Sequence, residues 1–91
     1  MTDKRLIWMG SSLADLSAQP AEARRLLGFE LREVQQGRAP SDWKPMPSVG
    51  AGVVEIRVRA ADGAFRVFYV AKFAEAIYVL HAFQKIGRAH V

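Results

Sequence analysis

Residues 53–72 read VVEIRVRAADGAFRVFYVAK, and this stretch decides the fold. Both VVEIRVR and AFRVFYVAK alternate with the period of two that is typical of a half-buried strand. Asp62-Gly63 supplies a turn between them, because Gly adopts positive φ at little steric cost. The pattern predicts a β-hairpin with one apolar face, made of Val54, Ile56, Val58, Phe65, Val67 and Tyr69.

The other face of this hairpin gathers arginines in either of two possible registers. If the Asp-Gly pair alone forms the loop, Arg59 faces Arg66, whereas a loop of residues 60–63 places Arg57 opposite Arg66. Like charges that lie directly opposite each other destabilise a strand pair. Such a face is typical of an anion-binding site, and a solvated face kept charged for solubility is an equally good interpretation.

The whole chain has the size and composition of one small domain. It has 91 residues, 51% of them hydrophobic, and contains no apolar run long enough to span a bilayer. Cysteine is absent, which excludes disulfides and thiolate metal sites and fits a reducing cytoplasm. The formal net charge of +4 favours polyanionic partners in general.

The last six residues, IGRAHV at 86–91, match one reading frame of a widely used DNA-sequencing adapter. We therefore interpret residues 1–85 as the domain and residues 86–91 as a non-native tail in place of the true C-terminus. The basic bias persists without Arg88, and His90 is left out of the functional argument.

One strand and two helices are predicted ahead of the hairpin. The apolar run RLIWM at residues 5–9 indicates the strand. The S-x-x-D pattern at residues 12–15 indicates a capping box that opens a short helix. From Pro20 to about Gln36, apolar residues recur at helical spacing, and Gly37 is the expected C-cap. This second helix should cover the apolar face of the hairpin.

Residues 38–52 show no period and contain three of the four prolines, which predicts a loop. Within it, Trp43 either stacks on a base or anchors the loop on the core. Lys44 either contacts a phosphate or is merely solvated.

The stretch AIYVLHAFQ at residues 76–84 predicts a strand that is apolar on both faces. His81 lies within it as a core residue or a catalytic group. A two-residue turn at 74–75 places His81 on the arginine face, and a three-residue turn at 73–75 places it on the core face. Glu55 is either a general base or a charge partner of Arg57 or Arg66.

Several sequence segments resemble the RelE/HigB superfamily of toxins, in particular its phage-derived HigB-like group. They are IWMGSSLADL (residues 7–16), WKPMPSVGAGVVEIRVR (43–59) and AFRVFYVAKFAEAIYVLHAFQK (64–85). The resemblance implies an α+β fold in which two N-terminal helices pack on a mostly antiparallel four-stranded sheet. It also implies that a C-terminal helix of the family is missing here.

The family's chemistry supplies roles for the basic residues. Toxins of this kind cleave mRNA on the ribosome with the RNA 2′-OH as nucleophile. By position, Arg66 matches the arginine that stabilises the phosphate, since a guanidinium fork fits phosphate geometry. The implied catalytic residues are Arg66, Arg57, His81 and Glu55, and the implied RNA-binding residues are Arg59, Lys85 and Lys44.

We therefore expect a cytoplasmic toxin of a type II toxin–antitoxin system, a metal-independent endoribonuclease (mRNA interferase) that needs no cofactor. Its expected partners are mRNA on the ribosome and a HigA-like antitoxin with a helix-turn-helix domain, and no membrane. The alternative is a non-catalytic RNA- or antitoxin-binding module, which would be a truncated and inactive toxin fragment.

Overall fold

The structure of the protein, a computed structural model, describes residues 3–85. The expected non-native tail at residues 86–91 lies outside this range. In chain order the elements are strand β1 (Arg5–Trp8), helices α1 (Ser12–Ser17) and α2 (Ala21–Gln35), and strands β2 (Trp43–Pro45), β3 (Val53–Ala60), β4 (Gly63–Val70) and β5 (Ala76–Lys85).

The strands form one five-stranded sheet in the order β1-β5-β4-β3-β2. β1 pairs with β5 in parallel, and the other three pairs are antiparallel. The α+β class is as expected, but the four-stranded, mostly antiparallel sheet is wrong, because the sheet has five strands and is mixed. The additional strand is β2, three residues within the expected loop, which pairs with the outer edge of β3.

The register of the β3–β4 hairpin places Arg57 opposite Arg66 and Arg59 opposite Ala64. The pairing continues to Ala60 and Gly63, so that only two residues form the turn. This is the second of the two registers that the sequence allowed, and it keeps Arg57, Arg59 and Arg66 on the same face.

Helix α2 covers the apolar face of the hairpin, as its periodicity predicts. Leu27 and Leu31 are buried against Ile56, Phe65 and Val67, all of them at most 1% exposed. The helix ends at the predicted glycine: the Gly37 N–H donates to the Val34 carbonyl at 3.0 Å, and the Arg38 N–H donates to the Glu33 carbonyl at 2.9 Å. Such paired bonds, with Gly37 at a φ of 83°, form a Schellman C-cap.

Tyr69 lies in the same core and is 5% exposed. Its burial raises the pKa of the phenol to about 12, because the phenolate would lose its hydration. This side chain therefore stays neutral throughout the physiological pH range.

Helix α1 lies beside the second half of β5, where β1 has ended. β1 pairs only with the first four residues of β5, from Ala76 to Val79. The predicted capping box does not form, because Ser11 is the N-cap and the Ser11 hydroxyl donates to the Asp15 carboxylate at 3.0 Å. The helix thereby brings Asp15 to the margin of the sheet. Neither helix of residues 3–85 is long and apolar enough to cross a membrane.

Candidate functional site

The sheet face opposite α2 holds all seven residues that the family resemblance implies for catalysis or RNA binding. The pairing places them in cross-strand rows that run from β2 to β5. One row is Lys44, Glu55, Phe68 and His81; the next is Arg57, Arg66 and Phe83; the third is Arg59, Ala64 and Lys85. We call this surface the basic face.

At its centre, a buried carboxylate holds the two arginines of the middle row. Glu55 Oε1 accepts a hydrogen bond from Arg57 Nε and another from Arg66 Nη1, both at 3.0 Å. The Glu55 side chain is only 4% exposed, against 16% for Arg66 and 33% for Arg57. The predicted charge pairing is confirmed, and it involves both arginines at once. One negative charge offsets the repulsion between two guanidinium groups that would otherwise face each other directly.

The arginine pair keeps donors for a further ligand. A guanidinium group has five N–H donors, and each arginine uses one nitrogen on Glu55. Arg66 Nε is buried and has no hydrogen-bond partner within residues 3–85. A cavity of about 100 Å³ adjoins the pair and is lined by Asp42, Arg57, Val58, Arg59, Ala64 and Arg66. This cavity is large enough for a few waters or a phosphoryl oxygen rather than a nucleotide.

A β-bulge decides the face on which His81 lies. At the start of β5, Tyr69 pairs with Val79, whereas one step along β4 Phe68 pairs with His81. Leu80 is thus the extra residue on β5, and every residue after it moves to the opposite face. The sequence left two registers open for His81. Before the bulge, β5 has the register expected from the three-residue turn, and after it the register expected from the two-residue turn, which places His81 on the arginine face.

Two neighbours, Asp15 and Phe83, hold the His81 ring. Its Nδ1 lies 3.1 Å from Asp15 Oδ2 on α1. The ring stacks on Phe83 with centroids 5.1 Å apart and planes 18° apart, and Phe83 in turn contacts Phe68 edge to face. The His81 side chain is still 52% exposed, so that its other edge remains accessible.

The three lysine and arginine residues predicted to bind RNA lie at the margins of the basic face. Lys44, Arg59 and Lys85 are all exposed. Trp43 instead pairs with Ile56 and therefore belongs to the helix-covered face. It is 46% exposed beside Pro40 and Tyr69, on the opposite side of the sheet from Arg57, Arg59 and Arg66.

The same side of the sheet becomes apolar towards the other end of β4 and β5. There a groove of about 360 Å³ is lined by Met9, Ala51, Val70, Lys72, Phe73, Tyr78 and Leu80. The cations of the basic face therefore lie mainly in the three rows, and the groove beyond them is lined mostly by apolar side chains, with Lys72 as its one cation.

Two acidic residues with structural importance escaped the sequence analysis. Glu30 is 8% exposed and accepts hydrogen bonds from the Ser41 N–H and hydroxyl. It thereby ties the loop before β2 to α2. Asp15 matched a capping box in the sequence, and no local pattern links it to His81, which lies 66 residues further on.

The arrangement is suited to an anionic ligand that contacts several cations of the basic face. Across residues 3–85, no three His, Cys, Asp or Glu side chains come together as metal ligands. Arg57, Arg59 and Arg66 lie within one hairpin, and guanidinium groups match the geometry of anionic groups such as phosphates and carboxylates.

Comparison with known proteins identifies one family. Residues 14–89 match the family described as "Phage derived protein Gp49-like (DUF891)". Neither a curated protein nor a solved structure matches the chain.

Proposed function

Since the chain belongs to the Gp49-like family of phage-derived proteins, we propose that it is a HigB-like mRNA endonuclease that acts on the ribosome. This family is part of the RelE/HigB-like toxin superfamily and is associated with the toxins of toxin–antitoxin systems. In this proposal the RNA 2′-OH is the nucleophile. The partner that holds the toxin inactive is a HigA-like antitoxin with a helix-turn-helix domain.

The observation that carries the proposal is the arginine pair on Glu55. A buried carboxylate holds Arg57 and Arg66 at adjacent positions of neighbouring strands, where their Cβ atoms are about 4.5–5.5 Å apart. Guanidinium groups oriented in advance stabilise charge on a phosphoryl group without reorganising during the reaction. A face kept basic for solubility alone has no need of a buried acid that orients its cations.

The proposed reaction divides the work between the arginines and a proton carrier. The 2′-oxygen attacks the adjacent phosphorus, the bond to the 5′-oxygen breaks, and a 2′,3′-cyclic phosphate and a 5′-OH form. Arg66 stabilises the charge on the non-bridging oxygens, and Arg57 and Arg59 hold the RNA backbone. The proton of the 2′-OH passes to a base, and the leaving 5′-oxygen takes up a proton.

His81 is the group best placed to move a proton. It lies on β5, next to the strand of Arg66, two residues before the direct partner Phe83. Residues in such a diagonal position of neighbouring strands are about 7–8 Å apart. Its side chain is 52% exposed, whereas the Glu55 carboxylate is 4% exposed beneath two arginines. We therefore assign Glu55 to holding the arginines and His81 to proton transfer. No metal is needed in this scheme, because the substrate supplies the nucleophile and the arginines supply the positive charge.

One observation favours the alternative, a non-catalytic module that binds RNA or the antitoxin. Both central guanidinium groups already donate to Glu55, and such ion pairs also occur where they only stabilise a sheet. A module of this kind binds phosphate through the remaining donors without cleaving it.

A substrate in which a single 2′-OH is missing separates the two functions. The cleavage site is first mapped on mRNA in purified ribosomes, and the mRNA is then made with one 2′-deoxy nucleotide at that site. We expect cleavage to stop there, while a deoxy nucleotide three positions away has no effect. Binding to ribosomes with no cleavage of the unmodified mRNA in the mapping step supports the module, and cleavage at the deoxy nucleotide contradicts the proposed nucleophile.

A further inference from the structure

We propose that Asp15 is a positioning residue that holds His81 as the Nδ1–H tautomer, with Nε2 presented to the basic face. The catalytic role of Asp15 in this inference rests on the proposed function, but the tautomer of His81 can be measured without any RNA. Asp15 lies on α1, outside the strands that supply the other residues of the site.

The contact itself determines the tautomer. Asp15 Oδ2 lies 3.1 Å from His81 Nδ1, and an ionised carboxylate only accepts hydrogen bonds. Nδ1 must therefore carry the proton. In the neutral ring, Nε2 then has the free lone pair that a general base needs.

The carboxylate is held in place from its other side. The Ser11 hydroxyl donates to the same Oδ2 at 3.0 Å, and the Asp15 N–H donates to the Ser11 carbonyl at 2.8 Å. Asp15 therefore has one defined orientation towards β5. With Phe83 stacked on the ring at 5.1 Å, the imidazole is restrained in both plane and tilt.

Two irregular features of the fold bring Asp15 and His81 into contact. The bulge at Leu80 turns His81 away from the core, and β1 ends early enough for α1 to lie beside that part of β5. Asp15 and His81 can meet only because both features are present, whereas an ordinary contact between two surface side chains requires neither feature.

Nitrogen chemical shifts of the histidine ring test the structural content. The sequence has two histidines, and the signals of His81 are identified by their loss in His81→Gln. In the neutral wild-type ring we expect a protonated Nδ1 and an unprotonated Nε2. Asp15→Ala should shift the ring towards the other tautomer, while Glu75→Gln, which also removes one exposed acid, should leave it unchanged. A neutral wild-type ring that is protonated on Nε2 overturns the proposal, and this measurement is made on the wild-type protein, with His81→Gln used only to assign the signals.

Steady-state RNA cleavage tests the catalytic meaning with the same proteins. A positioned general acid or base contributes about 10²–10⁴-fold. We expect Asp15→Ala to lower kcat by about tenfold or more, and by less than His81→Gln does, with KM unchanged because the phosphate contacts remain. An unchanged kcat alongside a changed tautomer overturns the catalytic role. If wild-type protein cleaves no RNA, the proposed function fails, and the tautomer alone then decides whether Asp15 positions His81.

Discussion

Arg66 and Arg57 face each other across two strands, but they are not equivalent. Both donate to Glu55 Oε1, yet the Arg66 side chain is 16% exposed and the Arg57 side chain 33%. Arg66 also lies in the row between Arg57 and Phe83, near the middle of the sheet. Its guanidinium is therefore more desolvated, which strengthens its interaction with a phosphoryl oxygen.

We predict that Arg66→Ala abolishes toxicity and lowers RNA cleavage by about 10²–10³-fold, as expected for the loss of one oriented charge donor. The fold should persist, because Glu55 keeps Arg57 as its partner. Cleavage assays with circular dichroism and a melting curve check both points. Arg25→Ala, on the exposed side of α2, is the matched control. Wild-type cleavage by a folded Arg66→Ala protein would contradict the assignment.

Glu55 gives a stability prediction at the same scale. Glu55→Gln keeps the size of the side chain but leaves two guanidinium groups opposite each other without a negative charge between them. We expect the free energy of unfolding to fall by about 1–3 kcal/mol, measured by urea denaturation.

The control for this prediction is Glu33→Gln. Glu33 pairs with Arg38 on the surface, where the guanidinium bond lowers the pKa of the carboxyl. Solvent screens that pair, so its loss should not measurably change stability. An equally small effect at Glu55 would mean that the central pair contributes no more than a surface contact.

At the scale of single elements, replacement of two glycines by alanine should change the free energy of unfolding in opposite directions. Gly63 has a φ of 129°, and a Cβ there would lie 3.0 Å from Gln84 Nε2. Gly28 is in the middle of α2, where a Cβ would meet nothing within 4 Å. We expect Gly63→Ala to lower the free energy of unfolding by about 1–3 kcal/mol and Gly28→Ala to raise it by about 0.5–1 kcal/mol. Chemical denaturation of both variants measures the signs, and a stabilised Gly63→Ala protein would refute the turn geometry.

The long elements were predictable from the sequence because their apolar residues repeat with a clear period. The hairpin shows the period of two, and α2 shows the helical stripe that ends at Gly37. β2 has no such pattern, since its three residues are all exposed and one is a proline. The parallel pairing of β1 was also hidden, because a four-residue apolar run does not specify the direction of its partner.

The site was predictable only where residues are close in sequence. The shared face of Glu55, Arg57 and Arg66 follows from strand alternation and the turn. The position of His81 depends on a one-residue bulge, which no local pattern marked. Its contact with Asp15 depends on where α1 packs, and packing between distant segments leaves no periodic trace in the sequence.

At the scale of the whole molecule, the two sides of the sheet have different tasks. α2 and the apolar side chains form the core, while the strands carry five cations on the other side, namely Lys44, Arg57, Arg59, Arg66 and Lys85, and one buried carboxylate, Glu55. Two further acids, Asp42 and Asp15, lie at the margins of that side, so that these cations outnumber the acids by five to three. The formal net charge of the chain is +4, and this face contributes part of that positive charge. A polyanion is attracted to this side before any specific contact forms.

The proposed reaction predicts activity without divalent ions. Cleavage of mRNA on the ribosome should continue in excess EDTA, because arginines rather than a metal neutralise the phosphoryl charge. The ribosomes are crosslinked beforehand, so that their subunits stay together when magnesium is removed. An RNase that needs a metal, assayed in the same buffer, serves as the control. Restoration of a lost activity by added magnesium or manganese would contradict the mechanism.

The salt dependence of RNA binding shows whether the basic face, rather than the overall charge, forms the interface. Each phosphate neutralised by a cation releases condensed counterions, and log affinity therefore falls linearly with log salt. Arg57→Ala and Arg59→Ala should each reduce that slope by about one unit for the phosphate contact that is lost. Arg25→Ala removes the same charge from the exposed side of α2 and should leave the slope unchanged. Fluorescence anisotropy with a labelled RNA at several salt concentrations measures all three variants. If the three slopes fall equally, RNA is attracted by diffuse charge and the basic face is not its binding site, whereas a fall confined to the two hairpin variants locates the phosphates on β3.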